Sequence, residues 1–412
     1  MKHHYKLSTR NPAFKNLKSK VRKLELLAPC GSFASLIAAV TAGADAVYFG
    51  LNEKGTNMRA SAKNFSLNDL PKMKKICGKN VKMYLTLNTI VYDTEINRLE
   101  KIIKNAKKYV DAIICWDFAI VNLCKKYNIP FHISTQASVS NIEAAKFYKK
   151  IGAERIILAR ELNLEQIKKI SKVIEVECFI HGAMCVSISG RCFTSQFLFN
   201  KSANRGECLQ PCRRQYEVKD DEGNTLTLEN NKVMSPKDLC SLPFIEELKK
   251  AGITAFKIEG RNKEPEYVDT TVRVYRTALD KKLNEKEIEE SLTELKKVYN
   301  KEFSSGFFLG IPTNDDFSKE ENSSATHRKE FIGNIYHYFS NANVAAIKIS
   351  SGKIQVGDEL LILGDKTGVV RHKIERIEVN RKPVQEARKS MEVGIKILNV
   401  RKGDKVYLVI KK

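Results

Sequence analysis

A chain of 412 residues with 42% apolar content is long enough for one large domain and a smaller one, each with its own core. The formal net charge of +23 points to a polyanionic partner, because Lys/Arg-rich surfaces bind nucleic acid by counterion release, although solvated helix faces such as KIIKNAKKY account for part of the excess. No stretch reaches the roughly 18 apolar residues of a membrane span and the N-terminus lacks a signal-peptide core, so a cytoplasmic protein without membrane association is expected.

Residues 1–23 form a basic tail with eight Lys/Arg and no acid, a run suited to a phosphate backbone. From residue 24 to 310 short apolar runs alternate with amphipathic helical stretches. Strands are predicted at 24–29, 46–50, 82–88, 112–117, 131–136, 155–160, 175–182 and 255–260. The intervening helices carry their own punctuation: SFASLIAAVTAG ends on glycine, DTEINRLEKIIKNAKKY opens on an N-cap aspartate, and NIEAAKFYKKIG has both signals. Eight such units predict a (β/α)8 TIM-type barrel. An open doubly wound sheet fits less well, since APCGSF is a weak candidate for its phosphate turn. Residues 311–329 read as a polar linker. Residues 330–412 alternate apolar and polar positions between glycine turns, with sixteen Lys/Arg against nine Asp/Glu, and predict a small basic C-terminal β-barrel suited to docking RNA or another partner.

In a barrel of this type function sits where strands give way to the following loops. Those positions hold Asn88, Asp117, Gln136, Arg160 with Glu161, His181, Lys257, Glu259 and Arg261. Each alone is ordinary loop chemistry. A hydrogen-bonding or charged group at nearly every strand end predicts a lined substrate pocket.

After the seventh strand comes a long insertion, residues 182–242, too long to be idle structureless loop. It carries Cys185, Cys192, Cys208 and Cys212 in the spacing C-x6-C-x15-C-x3-C. Four thiols in a reducing compartment suit an iron–sulfur cluster or structural zinc. The first pair is wider than zinc sites usually have, so the spacing favours a cluster and leaves zinc open. Cys77, Cys115, Cys124 and Cys178 lie inside strand or helix patterns and read as buried thiols. Arg191, Arg205, Arg213 and Arg214 surround the four, placed to offset cluster charge or grip phosphate.

The stretches ECFIHGAMCVSISGRC and NRGECLQPCRRQY, with LLAPCGSFASLIAAVTAGADAVYFGL, RASAKNF, STQASVSN, MSPKDLC and FKIEGRNKEPEYV, resemble the U32 family of collagenase-like peptidases over most of residues 24–310. Thr194 departs from the usual aliphatic residue before Ser195, without touching a thiol or a charge. The resemblance implies oxygen-independent hydroxylation with a [4Fe–4S] cluster on Cys185, Cys192, Cys208 and Cys212. It further implies RNA as substrate: a tRNA wobble uridine converted to 5-hydroxyuridine with prephenate as co-substrate, or a ribosomal RNA (rRNA) cytidine. Shorter members that serve ubiquinone synthesis lack a C-terminal extension like this one. For a dicarboxylate such as prephenate, Arg59, Arg160 and Arg261 are the expected cationic partners. The family's peptidase label is the alternative, although the sequence offers no G-x-S-x-G elbow and no H-E-x-x-H zinc helix. Cys30, ending the first strand, and Cys240, in the insertion, are the thiols that would replace one of the four if the ligand set were different.

Overall fold

The architecture below is that of a computed structural model, which describes residues 24–412 apart from 61, 62, 215, 227–233 and 321. The basic tail expected at 1–23 lies outside the described residues.

The first eight principal strands are β1 (Glu25–Pro29), β2 (Ala46–Phe49), β3 (Lys82–Thr86), β4 (Ala112–Cys115), β5 (Phe131–Ile133), β6 (Arg155–Ile157), β7 (Glu175–Gly182) and β8 (Ala255–Ile258). Each pairs in parallel with the next from β1 to β7. β8 closes the circle by pairing in parallel with both β1, Glu25 opposite Ala255, and β7, Ala255 opposite Glu177. The result is the TIM-type barrel. Strands such as β2 and β4 are buried at every position, as parallel strands covered on both faces must be, which is why they read as unbroken apolar runs. Helix α1 (Phe33–Ala42) shows how the local signals act. The Ser32 hydroxyl accepts from the Ser35 N–H at 3.2 Å, and Gly43 ends the helix at φ 98°, a conformation that costs glycine little. In the DTEINRL segment the expected aspartate cap is replaced: the Glu95 carboxylate accepts from the Tyr92 N–H at 3.1 Å, and a short 3-10 turn at Asp93–Glu95 precedes the helix Ile96–Ala106.

Six of the eight predicted strands overrun the observed ones at their C-terminal ends, the first and seventh ending as expected at Pro29 and Gly182. The fifth, expected to reach residue 136, stops at Ile133 because the Ser134 hydroxyl accepts from the Gln136 N–H at 3.3 Å and turns the chain into a 3-10 helix. The sixth stops at Ile157 rather than 160. These ends are where the polar residues of the loop face leave the sheet.

Between β7 and β8 the chain makes its long excursion. A short strand, Asp238–Cys240, returns antiparallel along β7 with Leu239 opposite Gly182 and Cys240 opposite His181, and it pairs in parallel with Phe303–Ser304. After β8, helices Pro265–Asp280 and Glu285–Lys297 complete the barrel's outer layer.

The C-terminal region is an antiparallel sheet domain built of β9 (His327–Phe339), β10 (Val344–Ile349), β11 (Glu359–Gly364), β12 (Gly368–Lys373), β13 (Ile377–Val379), β14 (Lys382–Val384), β15 (Glu392–Lys396) and β16 (Lys405–Lys411), in the order β12-β11-β16-β9-β10-β15-β13-β14. Ile335, Ile347, Ile362, Ile395 and Val406 form its own buried core, each apolar side chain stabilising the fold by about 1.5–3 kcal/mol. It docks on the barrel through β12. A Cβ at Gly368 would lie 2.8 Å from Ile37 of α1, the Arg371 guanidinium donates to the Thr270 hydroxyl at 3.2 Å, and Lys329 pairs with Glu266 at 2.6 Å.

A candidate active site at the barrel mouth

The floor of the barrel interior is ionic. Arg155 from β6 meets Glu25 of β1 at 2.5 Å and Glu177 of β7 at 3.4 Å, and Lys257 of β8 meets Glu177 at 2.8 Å. Above it, on the loop face, lies a cavity of about 140 Å3. Cys185, Cys192, Cys208 and Cys212 all line it, together with Arg59, Asn88, Gln136, Arg160, Lys257, Glu259 and Arg261.

Arg261, only 5% exposed, donates to the Thr86 hydroxyl at 3.0 Å and to the Asn57 side-chain oxygen at 2.5 Å. Burial with neutral partners pulls its pKa down to about 10. Arg160 donates to the Ala183 carbonyl at 2.7 Å and lies over the Phe179 ring at 4.1 Å, while its Nε has no hydrogen-bond partner. Burial lowers its pKa as well. Arg59 pairs with Glu259 at 3.0 Å. Burial alone would raise the Glu259 carboxyl, but Arg59, Arg160 and Lys263 outweigh it and hold the group below its usual range. The Asn88 side-chain Oδ1 accepts from the Met58 N–H at 3.2 Å, and the Gln136 Oε1 is buried without a partner. Orphaned buried polar atoms are rare in native proteins and mark places where a ligand or ion completes the bonding.

The four thiols share this space. Cys185 is exposed and the other three half-buried. The Cys192 N–H donates to the Asn204 side chain at 2.9 Å, and Gln210 N–H points to the Cys208 sulfur at 3.4 Å. Burial pushes the Cys212 thiol up to about 11; Arg213 opposes this, and Cys185, Cys208 and Cys192 add to it. All four line one cavity, where a bound cationic centre would favour their thiolate forms. Burial also raises Cys192, but hydrogen bonds from Thr194 and Ser187 outweigh it and bring its pKa down. Among the described residues no group of three or more His, Cys, Asp or Glu already stands together as ligands of a single ion. Four thiols facing one cavity supply the donors an iron–sulfur cluster takes.

His181, Asp117 and Glu161 are the strand-end candidates that do not line the cavity, and His181 is buried away from it. Its ring is 2% exposed and packs among Tyr267, Tyr275 and Phe303, with Nδ1 3.3 Å from the Tyr275 hydroxyl, and burial lowers its pKa to about 3. The returning strand Asp238–Cys240 covers it. Cys30 and Cys240 are buried elsewhere, the latter 3.6 Å from the Tyr275 hydroxyl. Asp117 caps the helix Phe118–Lys126, and Glu161 is exposed. Of the surrounding arginines, Arg205 is committed to Glu95 at 2.5 Å, Arg213 donates to the Met184 carbonyl at 3.0 Å, Arg214 lies over Phe199, and Arg191 is exposed. Sequence reasoning missed Asn57, fully buried and the anchor of Arg261, and Tyr48 and Phe179, which wall the cavity. A larger cleft of about 600 Å3 between the barrel and the C-terminal sheet shares Arg59, Cys208, Gln210, Arg213 and Glu259 with the cavity, so the two adjoin.

Fold and site define a TIM-type barrel whose loop face carries a cavity lined by thiols and arginines. The chain belongs to peptidase family U32, whose model matches residues 31–318. It is 41% identical over 409 residues to a protein named collagenase from Porphyromonas gingivalis, covering 94% of this chain and 98% of that one. It is 34% identical over 371 residues to tRNA hydroxylation protein P1 of Bacillus subtilis, covering 86% and 87%. To the 23S rRNA 5-hydroxycytidine C2501 synthase of Escherichia coli it is 39% identical over 271 residues, covering 64% of this chain and 40% of that one. No helix among the described residues is long and apolar enough to cross a membrane.

Proposed function

We propose that this chain is an oxygen-independent RNA hydroxylase that converts a tRNA wobble uridine to 5-hydroxyuridine, with a [4Fe–4S] cluster and a prephenate-like carboxylate at the barrel mouth. The observation that carries the reading is the sharing of one cavity by the four cysteines and by two arginines, half-buried Arg160 and buried Arg261, whose hydrogen bonds go to neutral groups. Relatives named for tRNA and rRNA hydroxylation support the substrate class.

Cys185, Cys192, Cys208 and Cys212 would hold the cluster. When bound, such a centre supplies one-electron transfer or a binding position for an oxygenated substrate. Arg160 and Arg261 are suited to holding carboxylates, Arg261 with both terminal nitrogens already fixed in orientation by Asn57 and Thr86. Glu259, kept ionised by Arg59, stands opposite them as an acceptor for a sugar hydroxyl or base N–H. Tyr48 and Phe179 exclude water from the floor of the cavity.

The collagenase name of a more similar relative favours a peptidase as the second reading. Among the described residues no histidine lines this cavity, and His132 and His181 are buried outside it. Mass spectrometry of RNA nucleosides from a strain lacking the gene tests the proposal. Loss of a wobble 5-hydroxyuridine derivative is the expected result. Loss of a hydroxylated rRNA cytidine instead moves the substrate to the ribosome. No change in either RNA, with peptide cleavage by the purified protein, overturns the proposal in favour of the peptidase.

A further inference from the structure

Val186, Ile188, Phe193, Phe197, Leu198 and Leu209 are all exposed, Phe197 at 84%. All fall in the cysteine-bearing segment: Val186 lines the cavity, Leu209 lines the adjoining cleft, and Phe193 lies in sequence between Cys192 and Thr194, which both line the cavity. The Phe193 and Phe197 rings stand 6.1 Å apart with their planes at 41°. Apolar side chains gathered at the lip of a polar cavity leave water-facing area that a partner is needed to cover.

The charge around them identifies the partner. Residues 183–206 include Arg191, Lys201 and Arg205 and no acidic residue. Arg205 lies over the ring of Tyr92, itself 54% exposed, at 4.7 Å, and Arg214 lies over Phe199 at 4.5 Å. Exposed rings at Phe193 and Phe197, with the exposed cations Arg191, Lys201 and Arg214 in the same segment, match single-stranded nucleic acid, in which bases stack on aromatic faces while the backbone phosphates meet cations. A duplex cannot use such rings without unstacking its own bases.

We infer that Phe193 and Phe197 form a stacking platform for the unpaired bases beside the target nucleotide, holding a splayed RNA loop over the cysteine-lined cavity. This rests on the RNA reading above and adds to it the residues that select a single strand. The platform engages bases on its rings and leaves the phosphates to Arg191 and Lys201, so its contribution depends little on salt.

The test uses the full-length protein and two probes. One is an RNA hairpin with a loop of about seven nucleotides carrying 2-aminopurine beside its central uridine; the other is a blunt RNA duplex of the same length. The unaltered protein should bind the hairpin and quench the 2-aminopurine by stacking. In the double variant Phe193→Ala/Phe197→Ala, hairpin affinity should fall roughly tenfold or more and the quench should vanish, with duplex affinity, salt dependence and iron content unchanged. The single variant Phe197→Trp should keep both affinity and quench. Unchanged hairpin binding and quench in the double variant overturns the inference, as does an equal loss on the duplex. A shift in oligomeric state with RNA binding intact overturns it too and makes the rim a self-association face. Failure of the unaltered protein to bind either RNA sinks the RNA reading itself, whereas binding that ignores both rings sinks only the platform.

Discussion

The two ends of the barrel interior carry similar residues and treat them oppositely. At the floor every charge has an ionic partner: Arg155 with Glu25 and Glu177, Lys257 with Glu177. Burial would lower the Arg155 pKa, but Glu177 and Glu25 outweigh it and push it up. At the mouth Arg59 is paired with Glu259, but half-buried Arg160 and buried Arg261 direct their hydrogen bonds to neutral acceptors and are pulled down by burial. Charge sealed by its own partners makes a self-sufficient floor. Charge left with neutral partners makes a site whose bonding is completed from outside, and this distinguishes a structural ion network from a binding one better than burial does.

The comparison breaks most easily at Glu177. Glu177→Gln leaves Arg155 and Lys257 under-compensated in the interior, and chemical unfolding should show a loss of about 3–5 kcal/mol. At the mouth, Arg160→Gln or Arg261→Gln removes hydrogen bonds to neutral groups but no ion pair, so the loss should stay at about 1–3 kcal/mol, below that of Glu177→Gln. If Arg261→Gln destabilises as much as Glu177→Gln, the two ends are alike and the distinction fails.

Arg261→Lys sharpens the same point. It keeps the charge but loses the planar fork, so prephenate affinity measured by calorimetry should drop roughly tenfold or more with unfolding unchanged. Equal binding by the lysine variant removes Arg261 from the carboxylate site.

His181 belongs to the packed side of the comparison although it ends a strand. Its folded pKa of about 3 lies below the ordinary 6.5. The stability tied to the neutral ring is therefore present above pH 6.5, and it is lost progressively as pH falls toward 3, where the unfolded chain takes up a proton the folded one refuses. His181→Gln should flatten the acid limb of the stability–pH curve across that window. An unaltered limb assigns the acid loss to other groups.

The smallest effect concerns the thiols themselves. Cys192 and Cys212 are both half-buried, so access does not separate them, but Cys192 is held down by Thr194 while Cys212 is pushed up to about 11. Limited alkylation of the metal-free protein near neutral pH, read by peptide mass spectrometry, should mark Cys192 before Cys212. The reverse order would mean that the local hydrogen bonds do not govern thiolate formation.

Much of this was legible in the sequence, for a physical reason. Strands covered on both faces must be continuously apolar, so runs such as AVYF and AIIC announce the barrel. The polar residue that ends each run then marks the mouth, and Arg59, Asn88, Gln136, Arg160, Lys257, Glu259 and Arg261 all reach one cavity. What stayed hidden depends on contacts distant in sequence. His181 looks like its neighbours until the strand Asp238–Cys240 folds back over it. Asn57 gives no local sign of receiving a guanidinium from 204 residues away. The docking of β12 on α1 depends on Gly368 leaving room for Ile37, which no periodicity reports.

The central claim is that the four cavity thiols hold one iron–sulfur cluster, and anaerobic purification tests it directly. The unaltered protein and a Cys240→Ala variant should show broad absorption near ~400 nm with about four irons per chain, and Cys208→Ala should lose most of both. A colourless protein carrying a single zinc, or iron that survives Cys208→Ala and disappears with Cys240→Ala, would contradict the account.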